Sequence, residues 1–252
     1  MKYQRLAPVV IPPLLWLLNQ IFLWRPGFFY YSLLLGGILI ISGIKLEAQA
    51  NKIKSWLLFA ISPVFIFLSF SFFSSLISNI YWIQSIFLLA AWFVFVYLRN
   101  LYYYWRYNAP ERENKLDNLL VSGGFLTIFA TAASLYNLPA FLSLPFGLLL
   151  AVFCPIIFLM FFQFLPLKKI NFFLAWPLML TNALILLELT WGLSFLPFHF
   201  NILAFLLAFF YYFLLSIWRL SWQQALNRHS LKFLLIFSAV IIIVFFLTSS
   251  WL

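Results

Sequence analysis

Apolar runs, each about as long as a bilayer is thick, follow one another along this chain, and short clusters of proline, glycine and charge separate them. A membrane-crossing helix needs about 20 mostly apolar residues. Nine stretches meet that need: residues 7–24, 28–44, 55–77, 81–105, 118–136, 140–165, 170–190, 201–220 and 231–250. The breaks carry helix-ending chemistry. Arg25-Pro26-Gly27 ends the first span, and the polar segment 47–54 divides the second from the third. Asn108-Ala109-Pro110-Glu111 supplies a cap, a first-turn proline and a first-turn acid for a short amphipathic helix ahead of Asp117. Asn137-Leu138-Pro139, Leu167-Lys168-Lys169 and Leu196-Pro197-Phe198-His199 mark later turns, while Pro12-Pro13 makes the first span the weakest. The pattern predicts an all-α, polytopic transmembrane helical bundle of about nine spans, forming a single integral membrane domain over 1–252. With no small-x-small cleavage signal before Trp24, the first run reads as an uncleaved helix rather than a signal peptide.

Composition agrees with the pattern. Hydrophobic residues make up 66% of the 252 and charged residues 8%, against about 45–50% and about 25% in soluble domains. The 34 phenylalanines fit codon bias in an AT-rich genome better than any special chemistry. Charge then orients the bundle. With the N-terminus in the cytoplasm, fourteen of the 15 Lys and Arg residues fall on the inner side, and only Arg25 lies outside. Four of the five acids fall inside too, with Glu188 toward the outside, so the whole net charge of +10 belongs to the inner face. Nine spans place the C-terminus outside. That distribution reads as attraction to anionic lipid heads, worth about 1 kcal/mol per nearby cation, rather than to nucleic acid. Short loops point to a bacterial plasma membrane.

Spans two to five and six to nine have similar lengths, so residues 28–137 and 140–250 are candidate halves of a tandem parallel repeat. At an offset of 114, Lys54, Phe59 and Pro63 fall on Lys168, Phe173 and Pro177; Phe87-Leu88-Leu89-Ala90 recurs as Phe205-Leu206-Leu207-Ala208. Such coincidences are common in Phe/Leu-rich sequence, and coincidence stands as the alternative.

Few residues offer chemistry. Glu188 is the one acid that these boundaries place within a span, and an ionisable group in a membrane helix is by default a functional candidate. Pro177, Thr181, Leu184, Glu188 and Trp191 follow steps of four and three, so they share a face that is expected to look into the bundle, with Asn182 beside it. Pro177, Thr181 and Asn182 form the expected polar intramembrane seam. Arg25 and Glu188, the sole outer cation and acid, are expected to pair as a clamp, or else to form an outer polar pocket with His199 as proton carrier. The run Tyr102-Tyr103-Tyr104-Trp105-Arg106-Tyr107, and Trp218-Arg219 with Trp222, read as inner aromatic belts. Arg99, Arg106 and Arg219 are the candidate contacts for anionic lipid. Gly36-Gly37 and Gly123-Gly124 lie in apolar runs and suit close helix contact, not phosphate loops.

Ser122 lacks a histidine or acid at its depth, and no paired-acid, His-Glu-x-x-His or Gly-x-Ser-x-Gly signature occurs, so no catalytic residue is assigned. One cysteine, Cys154, and two histidines on opposite sides support neither a metal site nor a cofactor. The leading reading is a non-catalytic membrane subunit or assembly scaffold, with membrane lipids and a membrane protein as partners. A transporter or lipid-handling protein, using prolines within spans, comes second. An outer-leaflet enzyme built on Glu188 and His199 comes third.

Overall fold

The structure is a computed structural model, and it describes residues 6–51, 55–107, 110–142, 145–168, 170–222 and 227–248. Among these, every regular element is helical: α1 Ala7–Trp24, α2 Phe29–Asn51, α3 Trp56–Phe59, α4 Ile61–Ser74, α5 Ile80–Tyr107, α6 Pro110–Leu142, α7 Phe146–Phe162, α8 Leu165–Lys168, α9 Phe172–Leu193, α10 Phe200–Trp222 and α11 Arg228–Thr248, with one 3₁₀ turn at Pro26–Phe28. Eight helical stretches of the described residues are long and apolar enough to cross a membrane. The ninth expected span coincides with α11, and its end at 249–250 lies outside the described residues. Lys2, Arg5, Lys52, Lys54 and Lys169, all counted toward the inner charge, also lie outside them.

Several boundaries differ from the hydropathy reading. α1 runs unbroken through Pro12 and Pro13 and opens with Pro8, a residue suited to a first turn because its missing N–H is not needed there. α1 packs on both α5 and α2 along this proline-containing helix. The short helix expected before Asp117 is not separate: α6 is one 33-residue helix that also continues through the expected turn at Asn137-Leu138-Pro139. The third span breaks at Ala60 into α3 and α4. Pro63 explains the break, because proline gives no N–H to the carbonyl four residues earlier, which is Phe59. The Tyr97 hydroxyl donates to that carbonyl instead, at 2.7 Å, from a fully buried position on α5. The counterpart at Pro177 sits inside an unbroken α9, and Phe173 is 85% exposed where Phe59 is 3% exposed.

The chain forms two compact units: Met1–Thr127 with Phe162–Leu174, and Ile128–Phe161 with Ala175–Leu252. In the first, α1 and α4 each pack on α2 and α5. Phe22, Ile83 and Phe87 make a small core there with Trp16 and Phe29 around it. Polar groups tie the same helices. The Ser71 hydroxyl donates to Asn19 Oδ1 at 3.2 Å, and Gln20 and Gln84 exchange two amide hydrogen bonds of 2.7 and 2.9 Å. In the second unit, the Phe161 ring packs tilted against Tyr211 and edge-on against Trp218, with ring centres 5.1 and 5.5 Å apart. The Tyr211 hydroxyl donates to the Met160 carbonyl at 3.2 Å, and that of Tyr136 to the Thr190 carbonyl at 3.0 Å.

Candidate functional site

The last turns of α5 carry a cluster of arginines and tyrosines. Val94, Tyr97, Leu98, Leu101, Tyr102 and Trp105 form its buried face. Helical spacing then turns Arg99 and Arg106 outward, and both are exposed. Opposite, Pro8 and Val9 in the first turn of α1 complete a cleft of about 440 Å³, lined on the α5 side by Phe95, Arg99 and the tyrosines 102, 103 and 107.

Arginines order these tyrosines. Arg106 Nη1 donates to the Tyr102 hydroxyl at 2.9 Å, and its guanidinium lies 5.9 Å from the ring centres of both Tyr102 and Tyr107. Arg112, from the first turn of α6, lies 4.9 Å over the Tyr103 ring. Tyr103 and Tyr107 stack at 6.0 Å. Cation–π contacts of this kind are worth about 0.5–1 kcal/mol at exposed sites, enough to bias side-chain positions but not to neutralise the charge. Carboxylates do not neutralise it either. Lys168 Nζ lies 3.4 Å from both Glu113 Oε1 and Asp117 Oδ2, and among the described residues these ion pairs leave Arg99, Arg106 and Arg112 out.

That Lys168 clasp was not legible as a site. Lys168 reads in the sequence as a loop cation, whereas the structure holds it between two acids of α6, with the Asp117 side chain only 2% exposed. Glu47 also differs from its expected place in a loop. α2 extends to Asn51, and Glu47 is 1% exposed. Its burial follows from spacing, since Gly36, Ile40, Ile44 and Glu47 recur at three and four residues on the buried face of α2. Glu188 is therefore not the one acid within a span.

The residues singled out on α9 fall differently from the expectation. Pro177, Thr181, Leu184, Glu188 and Trp191 are all exposed, so this stripe does not look into its unit. Ala175, Met179, Ala183 and Leu186 pack inward instead, and Asn182 is buried with them. Thr181 needs no neighbouring helix because its hydroxyl donates to the Pro177 carbonyl at 2.9 Å. Arg25 is exposed beside the 3₁₀ turn in the first unit, whereas Glu188 belongs to the second. His199 is exposed after α9 and accepts the Asn201 N–H at 3.3 Å. Arg219 lies on α10 in the second unit, next to Trp218, whose ring centre is 3.9 Å from that of Trp222. Of the expected lipid contacts, Arg99 lines the cleft and Arg106 lies against its tyrosines 102 and 107; Arg112, which reads in the sequence only as part of an amphipathic helix, lies against its Tyr103.

No protein-family model, curated protein or solved structure matches this chain. Its described residues form an all-helical protein with eight helical stretches long and apolar enough to cross a membrane.

Proposed function

We propose that the chain is a multi-pass integral protein of a bacterial plasma membrane, acting as a non-catalytic subunit or assembly scaffold. The exposed α9 stripe carries this reading. A carboxylate facing hydrocarbon costs up to about 3 kcal/mol on insertion scales, less toward the headgroups. Glu188 sits on an exposed face with Leu184 at 51% exposure beside it. A partner helix bringing a cation or N–H donors to the level of Glu188 removes that cost. The interior supports the same reading: the Asn19–Ser71, Gln20–Gln84 and tyrosine–carbonyl hydrogen bonds hold helices together.

Pairing of Glu188 with Arg25 is the intramolecular form of the proposal, and one experiment separates the two. Wild type, Glu188→Lys and the swapped Arg25→Glu/Glu188→Lys are purified in native-lipid nanodiscs and analysed by mass spectrometry. The subunit reading expects a stoichiometric membrane protein with wild type, lost in both variants. Recovery of thermal stability in the swapped variant assigns Glu188 to Arg25. A solitary wild-type protein that retains a solute favours the carrier reading instead.

A further inference from the structure

We infer that the cleft between the start of α1 and the end of α5 binds one anionic phospholipid by its phosphodiester headgroup. This goes beyond the subunit proposal and does not depend on it.

The sign of the charge is set by side chains. The positive N-terminal end of α1 and the negative C-terminal end of α5 each amount to about half an elementary charge and oppose one another, so the sign is decided by Arg99 in the cleft wall and by Arg106 and Arg112 held against the lining tyrosines. Guanidinium groups bind phosphate oxygens in bidentate fashion. Tyr102 and Arg106 already share a hydrogen bond, so a headgroup meets a pre-ordered pair.

The shape favours a lipid over a soluble phosphate. From Phe95 to Tyr107 the α5 wall rises about 1.5 Å per residue, roughly 18 Å in all. Phe95, within the apolar part of α5, marks one end, Arg99 follows one turn on, and Tyr102, Tyr103 and Tyr107, with Arg106 against them, mark the other. That polarity runs along the axis of a phospholipid, acyl chains toward Phe95 and phosphate toward Arg106. The α1 wall adds acceptors: Pro12 and Pro13 have no N–H for the carbonyls of Pro8 and Val9, which leaves acceptor capacity beside the cleft. A headgroup bearing hydroxyl donors, such as phosphatidylglycerol, matches both walls. A volume of about 440 Å³ holds such a headgroup, being within the usual span of about 300–1,000 Å³ for small-molecule sites.

The test uses the full chain in phosphatidylcholine nanodiscs containing a minority of phosphatidylglycerol, then exchanged into phosphatidylcholine alone. Native mass spectrometry is expected to find one phosphatidylglycerol retained. Arg99→Gln/Arg106→Gln should cut retention roughly thirty-fold, since each neutralised arginine removes about 1 kcal/mol of attraction. Arg228→Gln/Lys232→Gln, which removes two exposed cations of α11, should leave it unchanged. Equal loss in both double variants, or none in the first, overturns the site. Val9→Trp, which fills the cleft without altering charge, should also expel the lipid; unaltered retention places the lipid elsewhere. Thermal melting of each variant separates loss of lipid from loss of fold. Finally, inorganic phosphate at millimolar concentration should not displace the lipid, and displacement assigns the cleft to a soluble phosphate.

Discussion

Tyr97 shows how one proline sets the chemistry around it. Pro63 cannot donate to the Phe59 carbonyl, and the buried Tyr97 hydroxyl supplies the missing bond at 2.7 Å. Tyr97→Phe is expected to destabilise the protein by about 1 kcal/mol, within the range for hydrogen bonds between membrane helices. In a Pro63→Ala background the helix provides its own donor, so the same substitution should cost clearly less. Unfolding measurements on the four proteins of this cycle check the coupling, and equal costs in both backgrounds refute it. The partnership is invisible in the sequence, since Tyr97 lies in an apolar run among many aromatics. Pro63 was visible as a helix-breaker, but which side chain meets the carbonyl depends on how α5 packs on α4.

For whole elements, the glycines separate close contact from mere space. A Cβ on Gly123 of α6 falls 2.5 Å from Ser62 Oγ and 2.7 Å from Phe93 Cζ, and a Cβ on Gly36 of α2 collides with the buried Phe67 ring. Gly37, the next residue, meets nothing within 4 Å. Gly123→Ala is therefore expected to destabilise by about 1–3 kcal/mol, whereas Gly37→Ala is expected to be neutral or to stabilise by up to about 1 kcal/mol through helix propensity. Thermal midpoints of the two variants decide; similar losses in both reject the distinction. In the sequence both glycine pairs read as helix contacts, and nothing there tells one neighbour from the other. Likewise, the stripe on α9 was legible as a face, but not which way it turns. Small residues at Ala175 and Ala183 on another side of α9 allow closer packing, and Thr181 satisfies itself with a carbonyl of its own helix.

Over the whole molecule, the orientation expected from positive charge in short loops is open to direct test. With Cys154 replaced by serine, Asn79→Cys between α4 and α5 should react with a membrane-impermeant maleimide from outside intact cells. Asn227→Cys, just before α11, should react only after the cells are opened. The reverse pattern inverts the topology, and labelling of both from outside removes one span between them. Hydropathy by itself determined the all-helical class and most of the apolar spans, because lipid demands long runs with internally satisfied backbones. Within those runs nearly every position is apolar, so periodicity carries little information about which face is buried. Only tertiary packing decided that Glu47 and Asp117 are buried while Glu188 is exposed, that Lys168 holds two acids, and that Arg99 lines one cleft whose tyrosines hold Arg106 and Arg112. Each of those outcomes depends on which helix lies against which, and side-chain spacing along a uniformly apolar helix does not encode its neighbours.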